Sequence, residues 1–331
     1  MRFELTILGS GSALPTSNRN TTAQVLNVLE RFFLIDCGEG TQHQLRKYKL
    51  SFNHINHILI SHLHGDHFFG LFGLISTMSL VGRDKPLNIF GPPELEHLLW
   101  TVLKPQFEKT PFPINFHPLH AEAECTIYED KVVKITSFPL KHSVPVWGFL
   151  FEEKERLRKI NSDKISEYNI SIPEINNIKA GGAIVRENQI VSNKELTFDP
   201  LPPRSYAFMT DTLLSRRHME LVKNTDLIYH EATFLKEDLA LARKTLHTTA
   251  QQAGTFAHEA QIKHLLIGLF STRYKSDLLF EDECRKEFKY TTAAQDGDKI
   301  IWPDNKRTTF LVIREEETFE LAINKENAES R

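Results

Sequence analysis

Apolar positions fall into two rhythms along the N-terminal third of the chain. Short runs rich in aliphatic and β-branched residues read as strands at Phe3 to Leu8, Thr22 to Leu29 and Phe32 to Ile35. The Gly/Pro/Ser/Asn-rich stretch Gly9 to Asn20 is a loop between the first two. Ile58 to Ile60 predicts a buried strand, and Phe68 to Leu80 is apolar all round, as a buried helix is. Ile89-Phe90 stops at Gly91-Pro92-Pro93, after which Glu94 to Leu103 takes helical spacing with proline just before its start. Val132 to Leu140, Tyr206 to Met209 and Lys263 to Leu269 add strands further on. Strands and helices that alternate in this way imply α/β layering.

One stretch departs from the rhythm. Glu152 to Asn177 is rich in charge, with Lys154, Arg156, Arg158, Lys159 and Lys164 among acids. It reads as a solvated, partly helical excursion or as an arm that touches a polyanion. Strand-like alternation resumes from Ala183 to Phe198, and the polar stretches Glu315 to Glu317 and Asn324 to Arg331 predict a frayed C-terminus.

The chain's 331 residues give room for one large or two ordinary domains, and 40% hydrophobic with 25% charged residues is the composition of a folded globular protein. Met1 to Leu8 carries Glu4 and turns at Gly9-Ser10-Gly11, which is not the pattern of a signal peptide, and no apolar run has the length of a membrane span. Cys37, Cys125 and Cys284 are few, odd in number and widely spaced, which argues against a disulfide framework and for a cytoplasmic protein. A net charge of −3 is a weak basis for gripping nucleic acid. Divalent ions at a site would nevertheless dominate the local field, so charge does not exclude RNA or DNA as substrate.

The densest chemistry is the block His62, Leu63, His64, Gly65, Asp66, His67. Three imidazoles and a carboxylate are donors that zinc-like ions take. The block stands just beyond the carboxyl end of a strand, where open α/β sheets place their sites. In an extended turn His62, His64 and Asp66 project the same way. His62 and His64 can then grip one ion while Asp66 and His67 reach a second, with Gly65 permitting the tight turn. Such a block cannot close two sites alone. His142, after Val132 to Leu140, and Asp211, after Tyr206 to Met209, lie at other strand ends and become candidate ligands, although Asp211 also suits a helix N-cap.

Further segments extend the pattern: Leu8-Gly9-Ser10-Gly11 with Pro15, Arg19 and Asn20; Asp36-Cys37-Gly38-Glu39 with Thr41-Gln42; and His142-Ser143-Val144-Pro145 with Gly148-Phe149. Beyond them come Asp211-Thr212, His230-Glu231-Ala232-Thr233-Phe234, His247-Thr248-Thr249-Ala250 with Gln252-Ala253, and Phe270-Ser271-Thr272-Arg273-Tyr274. Across these segments the chain resembles the ribonuclease Z family of the metallo-β-lactamase superfamily over most of its length. The resemblance implies a single catalytic domain, residues 1–331, with a four-layered αββα sandwich and an inserted arm at 152–177. It also implies two zinc ions, a homodimer without membrane attachment, and endonucleolytic removal of the 3′ trailer from precursor tRNA.

Carried over residue by residue, the resemblance gives His62, His64 and His142 to the first zinc, Asp66 and His67 to the second, and Asp211 to both. Asp66 would orient or deprotonate water made acidic by the ions. His247, held by Glu231, would protonate the leaving 3′ oxygen. Two departures stand out. The family's arm carries a Gly-Pro step where this chain has Ile172-Pro173-Glu174-Ile175-Asn176. The family also has a histidine where this chain has Leu269, so the second zinc site is expected to be weakened. His264 cannot replace it, since five residues of strand separate the two by roughly 16 Å on opposite faces. Two other activities fit these residues: a small-molecule phosphodiesterase on the same fold, and a non-catalytic RNA-binding relative with an impaired second metal site.

Overall fold

The structure is a computed structural model that describes residues 2–107, 110–120, 123–302 and 309–324. It divides into two compact units, Met1–Glu152 with Arg204–Ser330, and Glu153–Pro203.

The first part of the larger unit runs β1 (Phe3–Gly9), β2 (Ala23–Val28), β3 (Arg31–Ile35), α1 (Thr41–Lys47), β4 (Ile55–Leu59), α2 (Gly65–Phe68), α3 (Gly70–Leu80), β5 (Leu87–Gly91), α4 (Pro93–Leu103), β6 (Ile114–Pro118), β7 (Cys125–Glu129), β8 (Val133–Leu140) and β9 (Val146–Glu153). The smaller unit holds β10 (Lys159–Ile160), α5 (Ser162–Glu167), α6 (Ile172–Lys179), β11 (Ile184–Arg186), β12 (Gln189–Val191), α7 (Asn193–Leu196) and β13 (Thr197–Phe198). The larger unit then resumes with β14 (Ser205–Met209), α8 (Met219–Val222), β15 (Leu227–Glu231), α9 (Leu239–Thr245), α10 (Ala250–Glu259), β16 (His264–Gly268), α11 (Leu278–Arg285), β17 (Thr291–Ala293), β18 (Lys299–Ile301), β19 (Thr309–Arg314) and β20 (Glu317–Ala322).

Two sheets carry the larger unit, in the orders β20-β19-β18-β1-β2-β3-β4-β5-β6 and β17-β16-β15-β14-β9-β8-β7. Side chains that alternate along each strand go to different cores. Phe3, Leu5 and Ile7 of the first sheet meet Tyr206, Phe208 and Leu266 of the second in one cluster. The opposite face of the first sheet, with Val25 and Leu34, packs on Leu71, Leu74 and Ile75 of α3 and Leu95 and Leu99 of α4. The opposite face of the second, with Ala207, Met209 and Ile267, packs on Phe256 of α10 and Phe280 of α11. The layers are therefore helix, sheet, sheet, helix, as expected. Sheets covered on both faces also explain the near-continuous apolar strands.

Several local expectations change. The helix expected over Phe68 to Leu80 is broken at Phe69 into α2 and α3. A Cβ on Gly70 would lie 2.1 Å from the Gly38 carbonyl oxygen, so this close backbone approach admits only glycine. Ala183 to Phe198 is not one alternating segment. Glu187 and Asn188, both at positive φ, make the two-residue turn between β11 and β12, and α7 follows. Glu315 and Glu316 likewise turn β19 into β20 instead of fraying, while 325–331 lie outside the described residues. No helix among the described residues is long and apolar enough to cross a membrane.

Candidate metal centre and acid–base pair

The site is built at strand ends. β3 and β4 run parallel, so Asp36, one residue past β3, and Ser61, two past β4, come side by side. Asp36 takes φ 56°, and its amide donates to the Leu59 carbonyl at 2.8 Å. Its buried carboxylate accepts from the Ser61 amide at 2.7 Å, the Ser61 hydroxyl at 2.8 Å and His67 Nδ1 at 2.7 Å. Because the Ser61 hydroxyl spends its proton on Asp36, it accepts from His62 Nδ1, 2.9 Å away. In the neutral form that ligates, both rings thereby keep their proton on Nδ1 and leave Nε2 as the ligating atom. His142 is fixed in the same sense, with Nδ1 donating to the Leu246 carbonyl at 3.0 Å.

These freed nitrogens converge. His62 Nε2 lies 3.1 Å from His64 Nδ1 and 3.0 Å from Asp211 Oδ2. One ligand atom from each of His62, His64, His142 and Asp211 lies within 4.8 Å of all the others. His67 Nε2 is 3.1 Å from Asp211 Oδ2 and 3.4 Å from Asp66 Oδ2. Asp66 is tied to the Gly9 to Asn20 loop through the Ala13 amide, at 2.8 Å. Among the described residues, His67 Nε2 and Asp211 Oδ1 are buried without a hydrogen-bond partner. Orphaned polar atoms of this kind carry a desolvation cost that a cation between them removes.

The electrostatics agree. Burial pushes the His67 imidazole down, yet Asp211, Asp36 and Asp66 together carry it well above the usual range. Burial pushes the Asp66 carboxyl up, but His67 outweighs it and brings it down to about 2. His64, desolvated and beside His62, drops to about 4. Three carboxylates around one buried imidazole make a place that calls for positive charge.

Beside the ligand group stands a second pair. Glu231, at the end of β15 and wholly buried, receives His247 Nδ1 at 2.9 Å and the Thr212 amide at 2.6 Å on Oε1. Its Oε2 receives the Thr233 hydroxyl at 2.6 Å and the Thr248 amide at 3.1 Å. The capping box of Thr249 and Gln252 starts α10 directly after this segment and fixes its path. Burial lowers His247, but Glu231, with Asp211 and Asp66 behind it, raises it to about 9. His142 and His247 have ring centroids 4.9 Å apart. His64, Asp66, His142, Asp211 and His247 all line one cleft of about 590 Å³.

All nine residue assignments thus fall in one neighbourhood, Asp66 serving twice. Asp36, Ser61, Thr233 and Thr248 were given no role from sequence, although Asp36, Thr233 and Thr248 stand inside the quoted motifs. Leu269 follows β16 with φ 57° and is buried in the inter-sheet core, its amide donating to the Ser10 carbonyl at 2.9 Å. His264 sits at the other end of β16, with Nδ1 on the Ala322 carbonyl and Nε2 on the Thr292 hydroxyl, and supplies nothing to the site.

Known proteins resemble the chain as follows. A family model described as Anti-Pycsar protein Apyc1 matches residues 3–156. A ribonuclease Z of Bacteroides fragilis (strain YCH46) is 44% identical over 297 residues, 89% of this chain and 98% of that protein. Human tRNase Z, short form, superposes with a TM-score of 0.65 at 27% identity, covering 91% of this chain and 99% of that one. The metallo-beta-lactamase fold protein YhfI of Bacillus subtilis superposes at 0.64 with 15% identity, covering 90% and 99%, a likeness of fold alone.

Proposed function

The chain belongs to the ribonuclease Z family, and on that premise we propose that it is a metal-dependent endoribonuclease that removes the 3′ trailer from precursor tRNA, leaving a 3′-hydroxyl on the tRNA and a 5′-phosphate on the trailer. The observation that carries this reading is the meeting of the four-membered ligand group with the Glu231–His247 pair at Asp211, beside a cleft that His64, His142, Asp211 and His247 line.

The donor set fits zinc, with His62, His64, His142 and Asp211 for a first ion and Asp66, His67 and Asp211 for a second. When bound, such ions supply positive charge for the phosphoryl oxygens and make water acidic enough to deprotonate near neutral pH. The chain's own residues do the rest. Asp66, half-buried and with its pKa brought down to about 2, faces the cleft where the nucleophilic water must be oriented. His247 is pinned through Nδ1 by Glu231, so its Nε2 proton is presented to the leaving 3′ oxygen, which departs as a hydroxyl. Thr212, Thr233 and Thr248 hold the Glu231 carboxylate in place. The family resemblance further supports a zinc-loaded homodimer acting in the cytoplasm; metal analysis and sedimentation velocity test those two features.

The decisive assay is cleavage of a 5′-labelled precursor tRNA, with and without chelator, and analysis of both new ends. A single cut that leaves a 3′-hydroxyl on the tRNA and is lost with the metal is the expected result. Hydrolysis of bis(p-nitrophenyl) phosphate without any cut in precursor tRNA would assign the site to small phosphodiesters instead.

A further inference from the structure

A second cleft, of about 480 Å³, opens on the other side of His142, between the loop 139–147 and residues Met209, Arg217, His218 and His230. Among the described residues, His142 is the one side chain that lines both clefts. Val146, Trp147 and Met209 give it a buried apolar floor, while Lys141 and Arg217 are exposed cations in its walls. His218 and His230 spend Nδ1 on Glu124 and on the Glu231 carbonyl, and each keeps a buried Nε2 without a hydrogen-bond partner. An apolar floor with cations above it suits a nucleotide better than a bare phosphate, which would leave the floor unused. None of these groups has work in the cleavage step.

An RNA bound at the ligand group must continue in two directions from the cut phosphate. His247 delivers its proton to the 3′ oxygen, so the mature end of the tRNA lies on the His247 side, in the first cleft. The trailer nucleotide stays joined to the phosphate through its 5′ oxygen and leaves on the other side. We propose that the second cleft seats the first nucleotide of the trailer, with its base or ribose on Val146, Trp147 and Met209 and the phosphate that follows it between Lys141 and Arg217. The proposal rests on the ribonuclease reading given above.

The test uses the full-length, metal-loaded protein and the double variant Lys141→Ala/Arg217→Ala. Three substrates are compared: precursor tRNA with a one-nucleotide trailer ending in a hydroxyl, the same precursor with a six-nucleotide trailer, and bis(p-nitrophenyl) phosphate. Only the long trailer carries the phosphate in question. Its KM should rise roughly fivefold in the variant, as the loss of exposed charge contacts allows. The slope of log(kcat/KM) against log salt should fall by about 0.7, one phosphate contact on a single strand. The one-nucleotide trailer and the small diester should be cut as by wild type. Equal losses on both precursors, or no loss on either, would overturn the proposal. Failure of the wild type to cut either precursor while hydrolysing the small diester would instead sink the ribonuclease reading.

Discussion

Asp36 shows how much of a candidate metal site lies outside its candidate ligands. One buried carboxylate orients Ser61 and His67 directly and His62 through the serine hydroxyl. Replacing it by asparagine keeps the volume and loses the charge and one acceptor. Metal affinity should fall by about 10- to 100-fold, the range found when a partner behind a ligand is lost, as read from titration against a metal buffer; unchanged affinity would mean that Asp36 does not set the ligand geometry. Asp66→Ala is expected to abolish precursor cleavage while gel-shift binding of the RNA persists, and wild-type-like cleavage by it would remove Asp66 from the mechanism. Leu269 is the third test. Histidine tolerates left-handed φ better than most residues, so Leu269→His suits the φ of 57° found there. It should raise metal content toward two per chain and increase turnover. If the unaltered chain keeps two zincs through dialysis against a mild chelator, Leu269 does not weaken the second site. At this scale the candidate ligands that the structure brings together were legible from residue type and strand-end position. Asp36 was not, because its partners stand 25 and 31 residues away and meet it only through the parallel β3–β4 pairing.

At the scale of elements, the inserted unit has a core of its own, made of Ile170, Ile178, Ile184, Val191 and Leu196. Ser171 and Glu174 form a capping box on α6, and Glu174 also pairs with Arg186 at 3.0 Å, pinning the helix to the β11–β12 hairpin. Charge made the start of the excursion visible in the sequence, but its compact unit closes only at Pro203. The closure depends on β13 pairing with β10, and on Arg158 reaching the Thr197 hydroxyl across 39 residues, neither of which leaves a trace in local composition. Sandwich strands such as β1, β4 and β14 were legible for the opposite reason, since each carries its own apolar signal, whereas the half-exposed β6, β7 and β20 carry little and went unread. Replacing 153–203 by a short Gly-Ser linker should weaken precursor binding, most at low salt, and leave bis(p-nitrophenyl) phosphate hydrolysis nearly intact. Remote contacts supply binding energy that a small substrate cannot use, and lysines and arginines make such binding salt-dependent. Equal loss on both substrates would show that the linker damaged the catalytic unit instead.

For the molecule as a whole, one buried histidine adds a hydrogen-bonded tie to the apolar contact between the two sheets. His264, on β16 of the second sheet, donates Nδ1–H to the Ala322 carbonyl on β20 of the first, at 2.9 Å, and accepts the Thr292 hydroxyl on Nε2, at 3.0 Å. Both ring nitrogens are committed as a neutral imidazole, and burial pushes its pKa down to about 4. An unfolded chain binds that proton near pH 6.5, whereas the folded chain resists until about 4. Between those values the unfolded state holds more protons, so stability rises with pH there: the contribution is complete above pH 6.5 and is lost as the pH falls toward 4. Over the step from pH 7 to pH 5 the loss should be about 2 kcal/mol. Urea unfolding of the metal-stripped protein over this range, set against His264→Gln, isolates that loss, because the clustered histidines of the site titrate alike in both proteins. His264→Gln can still donate and accept but does not titrate, so its stability should start lower, for want of the ring packed near Phe310, and fall less steeply with acid. Parallel pH curves for the two proteins would mean that His264 takes up its proton in the folded state, and that the contact between the sheets does not depend on a neutral ring.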